Sequence, residues 1–216
     1  METFCDAGSM RRYSRAQRAH SRSVAFVPTM GALHAGHTAL VEKARSLADV
    51  VVLSVFVNPM QFNVRDDFDR YPRDISTDAA IAGAAGVDAV YAPTVGSMYP
   101  DGFDTAVHVE RTAAPLEGSG RPGHFDGVAT VVTKLFNAVE PDWAVFGRKD
   151  YQQLAVISRM THDLDIPVQI IGVDTVREPD GLALSSRNVR LSSDERAQAP
   201  VIHRALALAR ESLLSG

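Results

Sequence analysis

The sequence predicts an α/β protein: a Rossmann-like parallel sheet flanked by helices, followed by the start of a small C-terminal domain. Short apolar segments rich in β-branched residues alternate along the chain with helical patterns, which is typical of a parallel sheet. The segment 50–57 is apolar almost throughout, as expected for a strand buried on both faces. With 216 residues, 45% of them hydrophobic, the chain can build a sizeable core.

Five apolar segments are the predicted strands. In chain order they are 24–27, 50–57, 87–91, 143–146 and 168–173. Helices are predicted between them at about 36–48, 74–85, 126–139 and 150–163. Pro28 is expected to end the first strand.

The chain changes character near residue 174. A polar stretch over 177–188 leads into Ser192 or Ser193, and either serine is a plausible N-cap for a helix over 194–214. We therefore predict a sheet domain over 1–175 and the beginning of a second domain over 176–216.

Composition and charge exclude several classes of function. The net charge of −4 does not favour a general nucleic-acid binder. No apolar run approaches the roughly 20 residues needed to span a bilayer, so no membrane association is predicted. The single cysteine, Cys5, cannot form an internal disulfide, which fits a reducing compartment, and a cytoplasmic protein is the prediction. Arginines clustered over 11–22 are interpreted as a solvated helix face or terminus.

The junction after the first strand carries the clearest chemical pattern, PTMGALHAGH at 28–37. Gly31 and Gly36 allow the backbone to approach a ligand closely. The following helix offers free N–H groups and a positive dipole end, which suit phosphate, and His34 and His37 add donors. A metal site is less favoured because no cysteine or carboxylate lies nearby in sequence.

Two later segments supply further phosphate ligands. Gly147 permits close backbone approach, Lys149 supplies a positive charge, and Asp150 can accept hydrogen bonds from ribose hydroxyls. The segment 185–188 offers two hydroxyls and a guanidinium, a suitable clamp for phosphate. Since several such loops follow the strands of one parallel sheet, they point together to a nucleotide phosphate site.

Three other loops are ambiguous from the residues alone. For the segments 58–62 and 71–73, the residues favour an ordinary turn and a ligand contact equally. A neutral amide such as Gln61 can bind hydroxyls or a carboxylate. The Gly- and Pro-rich segment 121–128 is a binding loop or a simple connection.

Together these segments resemble the pantothenate synthetase family, a member of the HIGH-type nucleotidyltransferase group. PTMGALHAGH resembles the variant HIGH signature, and four more segments occur in the family's order: VNPMQF at 57–62, RPGHFDGV at 121–128, FGRKDYQQ at 146–153 and LSSRN at 184–188. The resemblance covers about 24–216. It implies that ATP, with Mg²⁺, adenylates pantoate, and that β-alanine then displaces AMP. It also implies a homodimer.

Residue roles follow from the resemblance by motif. It implies catalytic roles for His34, His37, Lys149 and Arg187. It implies ATP contacts from Met30, His34, His37, Gly147, Lys149, Asp150, Val176, Ser185, Ser186 and Arg187. It implies pantoate contacts from Met30, Gln61, Val131, Val132 and Gln153. No metal-ligating residues are implied, because phosphate oxygens would hold the magnesium ion.

The sequence departs from the family pattern in two places. Ala35 stands where the family usually has an acidic residue, and its side chain is expected to point away from the ligand. Family chains also continue beyond this C-terminus, so 176–216 is expected to be the beginning of a truncated lid domain.

Two other functions compete with this one. A different HIGH-type nucleotidyltransferase would attack ATP with a substrate phosphate and would need a basic acceptor pocket, whereas Gln61 and Gln153 are neutral. A catalytically silent binding protein would bind nucleotide weakly and release no AMP.

Overall fold

The computed structural model describes residues 1–216 and contains one six-stranded sheet in which every neighbouring pair is parallel. The strands are β1 (Glu2–Phe4), β2 (Val24–Thr29), β3 (Val50–Val55), β4 (Ala89–Tyr91), β5 (Trp143–Gly147) and β6 (Gln169–Val173). Their order across the sheet is β1-β4-β3-β2-β5-β6. The predicted fold class is therefore confirmed.

Eleven α-helices and three short 3-10 turns connect and follow the strands. The helices are α1 (Ala7–Ala19), α2 (Ala35–Arg45), α3 (Arg65–Asp69), α4 (Ile75–Ala84), α5 (Val95–Met98), α6 (Glu110–Ala113), α7 (Glu117–Gly120), α8 (His124–Val139), α9 (Tyr151–Asp163), α10 (Ser193–Gln198) and α11 (Val201–Leu214). The 3-10 turns are Pro59–Gln61, Arg148–Asp150 and Asn188–Arg190.

Helices cover both faces of the sheet, which explains why its central strands are mostly apolar. On one face, α1, α8 and α9 pack against the sheet in a cluster of 24 buried residues that includes Phe26, Val52 and Phe136. On the other face, α2 and α4 contribute to a cluster of 11 buried residues around Val27 and Leu53. Two buried faces leave few polar positions in the strands, as the sequence indicated for 50–57.

The N-terminal elements were not predicted. β1 has only three residues at the edge of the sheet, too few to show a periodic pattern, and it pairs with β4. Helix α1 begins at the N-cap Asp6, whose carboxylate accepts a hydrogen bond from the Ser9 N–H at 2.8 Å. Its arginines form a helix face that pairs with Glu140 and Asp142.

Two predicted boundaries were wrong for reasons connected with proline. Strand β2 continues through Pro28 to Thr29, since Pro28 can stand opposite Ser54 without donating an N–H. The single helix predicted over 194–214 is two helices, because α10 ends before Pro200 and α11 starts after it. A proline inside a helix removes a hydrogen bond and clashes with the preceding turn.

The residues after β6 return toward the carboxyl ends of the strands. Arg177 and Ala183 form an antiparallel bridge, and the Leu184 N–H donates to the Val176 carbonyl at 3.0 Å. Beyond this turn, α11 has no buried residue. No helix in the structure combines the length and apolar character required to cross a membrane.

Candidate active site

A cleft of about 260 Å³ lies at the carboxyl ends of β2, β3, β5 and β6. All the residues to which the resemblance assigned a role line this one cleft: Met30, His34, His37, Gln61, Val131, Val132, Gly147, Lys149, Asp150, Gln153, Val176, Ser185, Ser186 and Arg187. The carboxyl edge of a parallel sheet is the usual ligand site in open α/β folds. Ala35 is exposed and does not line the cleft.

The loop between β2 and α2 is held by a buried carboxylate from α4. Asp78 is 2% exposed, and its two oxygens accept hydrogen bonds from the N–H groups of Ala32 at 3.0 Å and Leu33 at 2.8 Å. Gly31 has a φ of +84°, and a Cβ there would lie 2.6 Å from the Asp78 carboxylate. The loop conformation therefore depends on a glycine and on an aspartate 46 residues away from Ala32.

His34 and His37 form a reciprocal cap at the start of α2. The Nδ1 atom of His34 accepts a hydrogen bond from the Gly36 N–H at 3.1 Å, and the Nδ1 atom of His37 accepts from the His34 N–H at 3.2 Å. An Nδ1 atom that accepts cannot carry a proton, so both neutral rings carry it on Nε2. Each histidine thus keeps one N–H donor for a ligand in the cleft.

The electrostatic environment keeps both imidazoles uncharged. Burial lowers the pKa of His37 to about 3, with further contributions from His34 and the Lys149 ammonium. Burial first, and then Lys149, also lowers the pKa of His34. The two rings therefore act near neutral pH as hydrogen-bond donors rather than as cations.

The lowered pKa of His37 predicts acid sensitivity of folding. His37 takes up a proton near pH 6.5 in the unfolded chain but only near pH 3 in the folded protein. Its contribution to the free energy of unfolding is therefore fully present above pH 6.5 and is lost as the pH falls toward 3. Between pH 6.5 and 5 the expected loss is about 1–2 kcal/mol. His37→Gln keeps an N3 side chain that can accept from the cap N–H but cannot titrate.

Urea unfolding of the wild type and His37→Gln at pH 7 and pH 5 measures this effect. The variant should lose less stability than the wild type on acidification. An equal loss in both proteins would show that His37 does not cause it.

Lys149 and Asp150 stand where β5 turns into α9. The Lys149 Nζ atom lies 3.4 Å from an Asp150 carboxylate oxygen, and both side chains are partly exposed at the cleft. Because Lys149 affects the pKa of both histidines, its ammonium acts on the same region of the cleft as their rings. The result is a group of donors and one cation suited to phosphate oxygens.

Gln61 belongs to a 3-10 turn that is clamped against α8. Its Oε1 atom accepts a hydrogen bond from buried Asn58 at 3.1 Å, and its Nε2 atom donates to the Met30 sulfur at 3.3 Å. Asn58 also donates to the Gly127 carbonyl at 3.0 Å. A thioether is a weak acceptor, so a ligand oxygen can readily replace it as the partner of the Gln61 amide.

The other wall of this region is apolar. Val131 and Val132 on α8 are 5% and 4% exposed and line the cleft with Val128 and Leu135. Gln153, in the first turn of α9, also lines it. Its neighbour Gln152 faces elsewhere and donates to the carbonyls of Thr112 and Pro115. Two neutral amides beside an apolar wall suit a small molecule with hydroxyl and methyl groups.

The segment 184–188 closes the cleft from the C-terminal side. The Ser186 hydroxyl donates to the Ala32 carbonyl at 3.2 Å, and the Ser185 hydroxyl accepts from the Arg187 N–H at 3.2 Å. The Arg187 guanidinium is not free, because it donates to Asp67 on α3 at 2.8 Å.

Several cleft residues received no role from the sequence. Arg121 and His124 both donate to the Gln61 carbonyl, at 3.1 and 2.7 Å, so they buttress that turn. Both belong to the ambiguous segment 121–128, whose Gly/Pro content was the available signal. Asp67 and Asp78 each lie in the first turn of a helix, where acidic residues are common, and nothing in the sequence separated them from solvated aspartates.

The protein offers no cage for a metal ion. No three His, Cys, Asp or Glu side chains lie close enough together to hold one. The carboxylates of Asp150 and Asp174 do line the cleft, and a cation that arrives with phosphate oxygens needs few protein ligands.

The fold and the cleft define a class: a nucleotide-binding α/β protein whose phosphate donors stand at the carboxyl edge of a parallel sheet. A family model described as pantoate-beta-alanine ligase matches residues 2–215. The chain therefore belongs to the pantoate–β-alanine ligase family.

Named relatives agree with the family model. The chain is 56% identical over 207 residues to the pantothenate synthetase of Heliobacterium modesticaldum, covering 96% of this chain and 74% of the relative. It is 51% identical over 216 residues to the pantothenate synthetase of Trichlorobacter lovleyi, and the match covers 100% of this chain and 76% of that relative. The chain thus spans about three quarters of the length of these relatives.

Solved structures share the whole fold. The pantothenate synthetase from Thermus thermophilus superimposes with a TM-score of 0.94 at 53% identity, over 100% of this chain and 77% of that one. The pantoate-beta-alanine ligase from Francisella tularensis, solved with β-γ ATP and β-alanine, gives a TM-score of 0.90 at 39% identity. The match covers 96% of this chain and 79% of that one.

Proposed function

We propose that this protein joins pantoate to β-alanine at the expense of ATP, through a pantoyl adenylate, with release of pyrophosphate and AMP. The observation that carries the proposal is one cleft that combines two kinds of surface. His34, His37 and Lys149 supply donors and a cation for phosphates. Gln61 and Gln153, beside the valines of α8, supply neutral amides and an apolar wall for pantoate.

In the first half-reaction, a carboxylate oxygen of pantoate attacks the α-phosphorus of ATP and the bond to pyrophosphate breaks. The carboxylate is already an anion near neutral pH, so it needs no general base. The barrier falls when the two reactants are aligned and the charge on the phosphates is stabilised. The Nε2–H groups of His34 and His37 and the ammonium of Lys149 would provide that stabilisation.

In the second half-reaction, the amine of β-alanine attacks the acyl carbon of the adenylate. The C–O bond to the phosphate breaks, AMP leaves with the bridging oxygen, and the amine loses a proton as the amide forms. Neutral histidines suit both steps, because they donate without adding a fixed positive charge that would retain the products.

The remaining site residues would bind the two substrates. Asp150 would accept from the ribose hydroxyls, with Gly147, Val176 and Met30 beside the nucleotide and Ser185, Ser186 and Arg187 on its phosphates. Gln61 and Gln153 would hydrogen-bond pantoate, and Val131 and Val132 would pack on its methyl groups. Mg²⁺ bound to the phosphate oxygens would neutralise their charge; the carboxylates in the cleft lining are those of Glu117, Asp150 and Asp174.

We infer three broader properties that accompany this function. Residues 1–175 would form the nucleotide- and pantoate-binding domain, and 176–216 would begin a lid, since the 184–188 segment lies over the cleft while α11 buries nothing. The free cysteine Cys5 favours the cytoplasm. A homodimer is expected from the family, and analytical ultracentrifugation tests it.

Release of pyrophosphate and AMP from ATP–Mg²⁺ tests the proposed reaction. Pantoate alone should yield a stoichiometric burst of pyrophosphate, and added β-alanine should start continuous AMP release. A protein that binds ATP but releases neither product under both conditions would be a silent binding protein, and the proposal would be wrong.

Gln61→Ala should raise the KM for pantoate about two- to tenfold and change the KM for ATP little. Truncation of the side chain to a methyl group removes the amide, so a pantoate oxygen loses a neutral hydrogen bond worth about 0.5–1.5 kcal/mol. The Asn58 amide also loses Gln61 as an acceptor. Steady-state kinetics with each substrate varied measures both constants. Gln152→Ala, next to Gln153 but directed away from the cleft, is the control for loss of an amide. An unchanged pantoate KM in Gln61→Ala would remove Gln61 from the pantoate site.

A further inference from the structure

The ion-pair cluster of Asp67, Arg187 and Arg190 joins α3 to the segment that closes the cleft. The carboxylate of Asp67 accepts hydrogen bonds from Arg187 Nη2 at 2.8 Å and from Arg190 Nη1 at 2.7 Å. Its contact with Arg187 Nε is longer, at 3.4 Å. Asp67 is 120 residues from Arg187, so this contact exists only in the folded protein.

The geometry of the pair leaves one edge of the Arg187 guanidinium available. Asp67 occupies the Nε/Nη2 edge, and Nη1 has no hydrogen-bond partner in the protein. One face of the group lies over the ring of buried Tyr71, with the guanidinium carbon 5.4 Å from the ring centroid. A guanidinium group held on one edge and one face has little freedom left. Because Arg187 lines the cleft, its open edge is available to a ligand there.

The charge of the cluster also favours an anion. Two guanidinium groups meet one carboxylate, which leaves one net positive charge beside the cleft. Without Arg190, Asp67 would neutralise Arg187 and weaken its attraction for phosphate. Hydrogen bonds from Arg187 keep the pKa of Asp67 below its ordinary value, so the carboxylate stays ionised near neutral pH.

We propose that Asp67 is a positioning residue for nucleotide binding: it holds the Nε/Nη2 edge of Arg187 so that the Nη1 edge meets the phosphates of ATP. This inference rests on the proposed function, in which Arg187 contacts those phosphates. Arg190 balances the charge of Asp67 and anchors it further through a hydrogen bond to the Arg70 carbonyl at 3.2 Å.

Asp67→Asn tests the proposal, because asparagine has nearly the same shape but presents a neutral amide to the two guanidinium groups. The KM for ATP should rise about three- to tenfold, as expected for loss of a partly exposed bidentate ion pair, while the KM for pantoate changes less than about twofold. Asp66→Asn is the matched control, since Asp66 is the neighbouring residue of α3 with an 80% exposed side chain. It should leave both constants unchanged.

The double variant Asp67→Asn/Arg187→Ala separates positioning from other effects. If Asp67 acts through Arg187, the Asp67 change adds nothing once Arg187 is absent. An equal rise in the ATP KM in both backgrounds, an equal rise in the pantoate KM, or wild-type kinetics for Asp67→Asn would overturn the proposal. Failure of the proposed function is distinct, since the wild type would then release no pyrophosphate with pantoate.

Discussion

Replacing Lys149 with alanine should lower the rate of pantoate-dependent pyrophosphate release about 10²–10³-fold, a loss typical of removing one stabilising group from a transition state. The Lys149 ammonium lowers the pKa of both His34 and His37, so it acts on the same region of the cleft as their rings. Its only ion pair is with the adjacent Asp150, at 3.4 Å. The fold should persist, because a partly exposed pair contributes about 0–1 kcal/mol.

Single-turnover pyrophosphate release and a thermal unfolding curve test these two expectations together. Lys43→Ala is the control, because Lys43 is an exposed lysine on α2 that does not line the cleft. A folded Lys149→Ala protein that releases pyrophosphate at the rate of Lys43→Ala would exclude Lys149 from adenylate formation.

Gly127→Ala should damage both stability and the use of pantoate. A Cβ at this position would lie 2.4 Å from the Met60 carbonyl oxygen and 2.8 Å from the Gln61 nitrogen, both backbone atoms. The turn and α8 must separate, which also strains the Asn58 hydrogen bond to the Gly127 carbonyl. We expect a loss of about 1–3 kcal/mol in unfolding free energy, the usual effect of overpacking.

Gly127→Ala should also lower the catalytic efficiency with pantoate. Because a displacement of about 1 Å in a positioning group can cost about 10²-fold in rate, kcat/KM for pantoate should fall by that order. Gly120→Ala is the matched control, since nothing lies within 4 Å of a Cβ there. Wild-type pantoate kinetics in a stable Gly127→Ala protein would show that the close packing of α8 on the 59–61 turn does not position Gln61.

The sheet could be predicted because its strands are buried on both faces. Continuous segments rich in β-branched residues, such as 50–57, indicate buried strands. Their alternation with helices indicates an α/β fold with a parallel sheet. β1 could not be predicted, since three residues contain too few positions to show a period. The break at Pro200 carried a clear local signal, the proline itself, which the long apolar pattern of 194–214 obscured.

The motifs predicted the members of the cleft but not what holds them. Glycines, histidines, Lys149 and the serines at 185–186 stand in loops after strands, where ligand contacts are expected. Their supports are contacts between residues distant in sequence. Asp78 reaches the 32–33 amides, and Asp67 reaches Arg187, from helices in which nothing local distinguishes an aspartate that binds the protein from one that faces water. Such pairs become visible only once the chain is folded.

The central claim is that a carboxylate is adenylated in this cleft. The most direct test is to follow the carboxylate oxygens of pantoate into the products. With pantoate labelled with ¹⁸O in its carboxylate, turnover in the presence of β-alanine should yield AMP that carries one ¹⁸O atom, and the amide product should keep the other. Mass spectrometry of both products reads this out. Unlabelled AMP, or labelled inorganic phosphate formed together with ADP, would contradict an adenylate intermediate.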